Sequence, residues 1–197
     1  MTYNRTKQHR RSLRLKGYDY TQTGAYFVTL YTHNRACLFG AVLDGKVQLN
    51  DAGEMVEHWW FELKQKFATV ETNEFVIMPN HCHGIVIISD GLVGADLCVG
   101  PVPEGAHTGA PLRPRLSTVI QWFKTMTTNH YIRSVKTGAW PRFNGRLWQR
   151  NYYEHVIRNE GSLNRIRQYI LDNPARWQFD RENPAATKFE PKNAWYT

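Results

Sequence analysis

The chain has 197 residues, a formal net charge of +8 and a pI of about 9.5. With 42% hydrophobic and 13% aromatic residues, it is expected to form one globular domain rather than a disordered chain. There is no apolar run of about 18 residues and no apolar secretory core, so we expect neither a membrane span nor a signal peptide. Three cysteines do not suggest a disulfide framework, and we predict a reducing, cytoplasmic location.

The excess positive charge is concentrated at the N-terminus. The first 16 residues contain no acidic side chain and six basic ones, namely Arg5, Lys7, Arg10, Arg11, Arg14 and Lys16. A cluster of one sign either contacts phosphate groups or remains a solvated tail. We favour phosphate contact by Arg10, Arg11 and Arg14, because the net charge and the aromatic content both suit a nucleic-acid partner.

The next part of the chain predicts a strand, a hairpin and a helix. Residues 25–33 are rich in β-branched and aromatic side chains and predict a strand. Residues 38–49 carry Asp-Gly between two apolar runs, which is the signal of a β-hairpin. Asp51 is expected to begin a helix, with Glu54 in a position similar to that of a capping box. The apolar face of this helix would consist of Met55, Val56, Trp59, Trp60 and Leu63.

Two strands and a loop are expected in the middle of the chain. Residues 75–78 and 81–88 predict strands, and Pro79 excludes a helix between them. Residues 90–112 contain five Gly and three Pro without a sustained period. We therefore expect a flexible loop insertion there rather than a linker between domains.

Two helices and a partly extended segment are expected in the rest of the chain. Residues 115–131 have helical spacing of apolar side chains. Residues 147–157 are expected to be partly extended. Residues 162–172 predict a second helix, which Asn173-Pro174 is expected to end.

The order of these elements predicts an α+β fold of the ferredoxin-like type, with an antiparallel sheet and helices packed on one side. We expect one domain over residues 1–197. Its appendages would be a basic arm at residues 1–17, the loop at 90–112 and an irregular tail at 178–197.

The first candidate functional motif is His81-Cys82-His83, a possible metal-binding pair. Side chains alternate between the faces of a strand, so His81 and His83 project to the same side and can converge on one metal ion. Cys82 points the other way and suits a small apolar core position. A His-x-His pair is common by chance, and the alternative is one core and one surface histidine with ordinary hydrogen bonds.

The second feature is Tyr169 with Asn173. Four residues apart on a helix, they share a face. In isolation, a helical tyrosine is more often a core residue and an asparagine before proline is more often a helix terminator.

Together the two features suit phosphoryl chemistry. Two imidazoles and the Asn173 oxygen would hold a divalent cation, Mg²⁺ or Mn²⁺, with positions left open for a phosphate and water. Such an ion would polarise the phosphate for in-line attack by Tyr169. Three further basic residues, Lys124, Arg165 and Arg167, are candidates for phosphate contact, with surface solvation as the alternative for each.

Two segments carry a resemblance to a known family. VIMPNHCHGIVII resembles the HUH segment of single-tyrosine transposases, and WQRNYYEHVIRNEGSLNRIRQYILDNPARW resembles the C-terminal signature of the REP-associated tyrosine transposases. The resemblance spans most of residues 15–177. It implies that Tyr169, in the YIxxNP run, is the nucleophile and that Asn173 is the third metal ligand. This chain departs from the family pattern in two ways. The middle HUH position is usually bulky and apolar, whereas here it is Cys82, and the loop at 90–112 is longer than usual.

The resemblance implies cleavage and rejoining of single-stranded DNA through a 5′-phosphotyrosine intermediate. The partner would be hairpin-forming DNA from repetitive palindromic elements. Related proteins occur as swapped dimers, whereas REP-associated members can be monomeric, so we favour a monomer over a homodimer.

Several alternatives remain open. Tyr152 and Tyr153 are rival nucleophiles, and His155 would either support the site or form a structural hydrogen bond. The chain could instead be a different H-x-H metal enzyme, although a third His is missing at Ile85, or a structural zinc protein using Cys82. It could also be a domesticated relative that binds DNA hairpins without cutting them.

Overall fold

A computed structural model of the chain describes residues 22–90 and 113–188. The predicted basic arm, the interior of the predicted loop and the end of the predicted tail lie outside these ranges. The described strands are β1 (Gly24–Tyr31), β2 (Gly40–Leu43), β3 (Lys46–Leu49), β4 (Val70–Met78), β5 (His81–Ile88) and β6 (Tyr153–Ile157). The described helices are α1 (Asp51–Phe61), α2 (Leu63–Lys66), α3 (Leu116–Lys136) and α4 (Glu160–Arg176).

Four strands form one antiparallel sheet in the order β4-β5-β1-β6, and β2 and β3 form a separate hairpin. Helix α1 follows β1 and helix α3 follows β5, which gives the ferredoxin-like β-α-β-β-α-β arrangement. The helices α1 and α3 pack on one side of the sheet with the larger core, and the predicted fold class is confirmed. The C-terminal helix α4 is an addition to this arrangement.

The two faces of the sheet have separate cores because side chains alternate along each strand. Tyr26, Val28 and Leu30 of β1 face the larger core, whereas Phe27 faces a smaller core with Ile85 of β5. Helix α4 contributes Ile166 and Ile170 to the smaller core. The additional helix therefore covers the face of the sheet that carries the two histidines.

Local signals account for several element boundaries. Asp44 and Gly45 both have positive φ values, 49° and 71°, as a two-residue hairpin turn requires. Helix α1 begins at Asp51 as predicted, but its cap is Asn50, whose side chain accepts a hydrogen bond from the Gly53 backbone N–H at 3.0 Å.

The expectation that Asn173-Pro174 ends the last helix is wrong. Helix α4 begins at Glu160, where the Asn159 side chain caps it, and continues through Pro174 to Arg176. Proline lacks a backbone N–H, so it removes one intrahelical bond. The helix continues for only two residues beyond Pro174, and the Trp177 N–H bonds to the Pro174 carbonyl at its end.

The segment before β6 is partly extended, as expected. Trp148 forms an isolated antiparallel bridge with Thr32, just beyond the end of β1. The Gln149 backbone N–H donates to the Tyr31 carbonyl at 2.9 Å. Among the helices described, none is both long enough and apolar enough to cross a membrane.

The close packing around Gly84 of β5 gives a stability prediction. A Cβ at this position would overlap the ring of Trp60, which itself stacks on Phe75 at a centroid distance of 4.2 Å. We expect Gly84→Ala to lower the free energy of unfolding by about 1–3 kcal/mol, measured by urea denaturation, because the buried indole has to move.

Gly161→Ala is the matched control for this substitution. Gly161 lies in the first turn of α4, and a Cβ there would meet its nearest neighbour at an ordinary 3.6 Å. Alanine is the better helix former, so this variant should be as stable as the parent or slightly more stable. Equal stability of the two variants would contradict the packing argument.

Candidate active site

The site begins with the histidine pair on β5. His81 and His83 are both buried and project to the same face of the sheet, as the strand alternation predicts. Their ring centroids are 4.7 Å apart, and their Nε2 atoms are 3.1 Å apart. The intervening Cys82 is buried in the larger core on the other face. The two Nε2 atoms are therefore close enough to bind one shared ion.

The outer nitrogens of both rings have polar partners that fix the orientation of the imidazoles. His81 Nδ1 lies 2.8 Å from Asn80 Oδ1, and His83 Nδ1 lies 2.8 Å from the Thr29 hydroxyl. The Asn80 amide nitrogen donates to the carbonyls of Arg35 and Glu182, so its Oδ1 faces His81 as an acceptor. His81 Nδ1 consequently carries the proton, and its Nε2, which faces His83 Nε2, carries the lone pair that a metal ion needs.

Burial keeps both imidazoles neutral. Desolvation lowers the pKa of His83 to about 3 and holds the pKa of His81 well below its usual value. The neighbouring His83 and Arg35 lower the pKa of His81 further. The neutral imidazole is the form that binds metals.

Helix α4 brings the two other predicted residues to this pair. The ring of Tyr169 packs against the ring of His83 at a centroid distance of 5.3 Å. Asn173, one turn further along, is buried, and its side chain lies close enough to His81 to act on the pKa of that imidazole. Phe27 of β1 stacks on His83 at 5.5 Å and meets Tyr169 edge-on at 6.0 Å. All four residues selected from the sequence are thus in one cluster.

The donor set fits a hard or borderline divalent cation. In the described part of the chain, no group of three or more His, Cys, Asp and Glu side chains could hold a metal ion. The amide oxygen of Asn173 could serve as a third ligand beside His81 and His83, and the Asp180 carboxylate, 3.7 Å from His81 Nε2, is another nearby oxygen donor. A set of two imidazoles and one amide oxygen suits Mn²⁺ better than Mg²⁺. Cys82 points away from it, which argues against the zinc alternative.

Sequence reasoning missed other neighbours of the site. The Tyr31 ring lies 5.4 Å from the His81 ring, and the Arg35 guanidinium stacks on Tyr31 at 3.6 Å. Burial raises the pKa of the Tyr31 phenol well above its usual value. The Asp180 carboxylate lies 3.7 Å from His81 Nε2.

Of these neighbours, Tyr31 is the one whose place in the site could have been predicted from the sequence. Tyr31 lies two and four residues after Thr29 and Phe27 in β1, so strand alternation places it on the face of the histidines. Asp180 comes from the segment after α4, and nothing in its local sequence indicates a contact across the fold.

The predicted basic contacts have different surroundings. Arg10, Arg11 and Arg14 lie outside the described residues. The Lys124 ammonium donates to the backbone carbonyls of residues 149–151 at distances of 2.9–3.4 Å. Arg167 pairs with Glu74 at 3.1 Å and with Glu160 at 3.6 Å, whereas Arg165 is exposed. Of the three helical candidates, Arg165 is the one whose surroundings suit phosphate contact best.

The rival tyrosines lie on opposite faces of the sheet edge. Tyr152 packs against the larger core, with Lys124 5.4 Å from its ring centroid. Tyr153 belongs to the smaller core and meets Phe27 at 6.2 Å. Tyr153 pairs with Thr29 across the strands, and His155 pairs with Phe27. Tyr169 is the tyrosine whose ring packs directly on His83.

Comparison with one solved structure supports the fold. The structure of a REP-associated tyrosine transposase bound to a REP hairpin aligns with a TM-score of 0.50 and 22% identity, over 81% of this chain and 71% of that chain. A candidate transposase from Deinococcus radiodurans aligns with a TM-score of 0.44 and 15% identity, over 81% of this chain and 95% of that one.

Comparison with protein sequences identifies a family. No family model matches the chain. A Haemophilus influenzae protein, described only as uncharacterized, is 39% identical over 184 residues, which are 91% of this chain and 96% of that protein. Identity at this level along nearly the full length of both chains means that this chain belongs to the same protein family as the Haemophilus influenzae protein.

Proposed function

We propose that this chain is a metal-dependent, single-tyrosine HUH transposase that cleaves and rejoins single-stranded, hairpin-forming DNA. The observation that carries the proposal is the packing of Tyr169 against His83, with the buried Asn173 of the same helix beside His81. Hairpin DNA is the substrate we favour, because the net charge of +8 suits a polyanion. A solved protein with this fold was bound to a REP hairpin, which supports the same choice.

The proposed reaction is a pair of transesterifications. The Tyr169 hydroxyl oxygen attacks the scissile phosphorus, the bond from phosphorus to the 3′-oxygen breaks, and a 5′-phosphotyrosine bond forms. The leaving 3′-oxygen takes up the proton that the phenol loses, so there is no net change in protons. A 3′-hydroxyl of another strand then attacks the phosphotyrosine, and the phenol regains a proton. Each step exchanges one phosphoester for another, so no ATP is required.

The phenol needs assistance from the site. With a pKa near 10, a free phenol is only about 0.1% ionised at pH 7. His81, His83 and Asn173 would hold a Mn²⁺ or Mg²⁺ ion, which when bound would act as a Lewis acid on the scissile phosphate. Thr29 and Asn80 orient the two imidazoles, and Phe27 limits the positions open to the Tyr169 ring.

The nucleophile is tested by substitution. With hairpin DNA carrying a single-stranded extension and Mn²⁺, we expect the parent protein to form a covalent protein–DNA adduct, visible on a denaturing gel. Tyr169→Phe should abolish the adduct, because it removes only the attacking oxygen. Tyr153→Phe is the matched control and should retain it.

Two outcomes would change the assignment. An adduct that survives in Tyr169→Phe and disappears in Tyr153→Phe would move the nucleophile to β6. If the parent protein binds the hairpin but forms no adduct with either Mn²⁺ or Mg²⁺, the alternative of a domesticated protein that binds DNA without cutting it would be favoured.

The metal site is tested by direct binding. Thr29→Val removes the partner of His83 Nδ1 and keeps the shape of the side chain. We expect it to weaken Mn²⁺ binding by about 10–100-fold in calorimetric titration, the usual effect of losing an outer-shell partner. Thr29→Ser keeps the hydroxyl and should bind nearly as well as the parent. Unchanged affinity in Thr29→Val would show that this hydrogen bond does not orient a metal ligand.

A further inference from the structure

A groove of about 580 Å³ lies between α3 and residues 143–152. Helix α3 packs on the face of the sheet opposite to the histidine pair, so this α3 groove is separate from the candidate active site. Its volume falls within the range of about 300–1,000 Å³ that is typical of small-molecule sites. The groove is therefore large enough to hold a nucleotide.

The charge of the α3 groove favours an anion. Three basic residues, Lys124, Arg146 and Arg150, line it, and none of the described lining residues is acidic. Both arginines are exposed, and within residues 22–90 and 113–188 no carboxylate pairs with them. Arg167 contrasts with them, because two glutamates neutralise its charge. Unpaired guanidinium groups at the mouth of a groove attract phosphate.

Uncharged side chains that line the α3 groove suit a nucleobase. Tyr152 lines it with a half-buried ring, and the exposed amides of Gln121 and Asn129 offer donors and acceptors. The Gln149 amide nitrogen donates to the Thr32 carbonyl, and its oxygen can accept. Aromatic rings stack on unpaired bases of any sequence, and amides can bond to base edges. An isolated inorganic anion would make no use of these groups.

The wall of the α3 groove is connected to the active site through the backbone. Lys124 holds the carbonyls of Gln149 and Asn151 at 2.9 and 3.2 Å, and burial lowers the pKa of its ammonium to about 8. The Gln149 N–H donates to the Tyr31 carbonyl, and the Tyr31 ring packs against His81. The groove and the histidine site thus lie on either side of one strand end.

We propose that the α3 groove binds one unpaired nucleotide of the DNA strand, with the phosphate at Arg146 and Arg150 and the base against Tyr152. This inference rests on the proposed function, because it assumes a DNA substrate. The groove takes no part in bond breaking. It would hold the single-stranded part of the substrate while another segment occupies the site at Tyr169.

The first test measures binding of a fluorescent twelve-nucleotide oligo(dT) by anisotropy at fixed salt. Arg146→Glu/Arg150→Glu should weaken binding at least tenfold. The matched control is Arg133→Glu/Arg142→Glu, which changes the net charge equally at exposed arginines outside the groove and should weaken binding less than threefold. Equal losses in the two variants would mean general electrostatic attraction and would overturn the proposal. No loss in the groove variant would overturn it as well.

The second test asks whether a base enters the groove. The parent protein should prefer oligo(dT) to an abasic twelve-nucleotide strand of equal charge by about fivefold or more, the lower end of base–aromatic stacking. Tyr152→Leu should remove most of this preference, and Phe61→Leu, at an exposed ring of α1 outside the groove, should retain it. A preference that Tyr152→Leu leaves unchanged would overturn the placement of the base.

The adduct assay separates this inference from the proposed function. If the parent protein forms the Tyr169 adduct and both arginine variants lose affinity equally, the α3 groove proposal fails and the transposase proposal stands. If the parent protein binds neither hairpin nor single-stranded DNA, both fail.

Discussion

The arrangement of the site depends on the two-residue alternation of β5. This strand is paired on both sides, with β1 and with β4, so its register is fixed along its length. Alternation sends Cys82 into the core beneath α1 and α3 and sends His81 and His83 to the opposite face. A slip of one residue would bury Cys82 among polar groups and push both imidazoles into an apolar core. Burial of one face therefore holds the histidine pair on the other.

The pair is buried without being left unsatisfied. A buried imidazole without partners would be costly, and here Thr29 and Asn80 supply hydrogen bonds to the outer nitrogens. Because these bonds use the Nδ1 atoms, the Nε2 atoms face each other at 3.1 Å. The same bonds that satisfy the rings thus orient them for a shared ligand. Helix α4 then closes this face with Ile166 and Ile170, and the same packing brings Tyr169 and Asn173 to the rings.

In the function that we propose, the two faces of the sheet have different roles. The face under α4 holds a compact, largely neutral cluster suited to one metal ion and one nucleophile. The face under α3 leads to a cationic groove whose arginines have no described acidic partner. Lys124 belongs to neither function directly, because its ammonium is bound to backbone carbonyls.

Local sequence patterns were sufficient to predict four features: the strand bearing His81 and His83, the hairpin at Asp44-Gly45, the start of α1 and the shared face of Tyr169 and Asn173. These features follow from short-range periodicity and turn chemistry, which operate over a few residues. Local patterns did not predict every element, since α4 continues for two residues beyond Pro174. The packing of α4 across the histidine face and the approach of Asp180 to His81 became evident from the folded structure alone. Contacts between residues about a hundred positions apart depend on how the layers pack, and no local pattern encodes that packing.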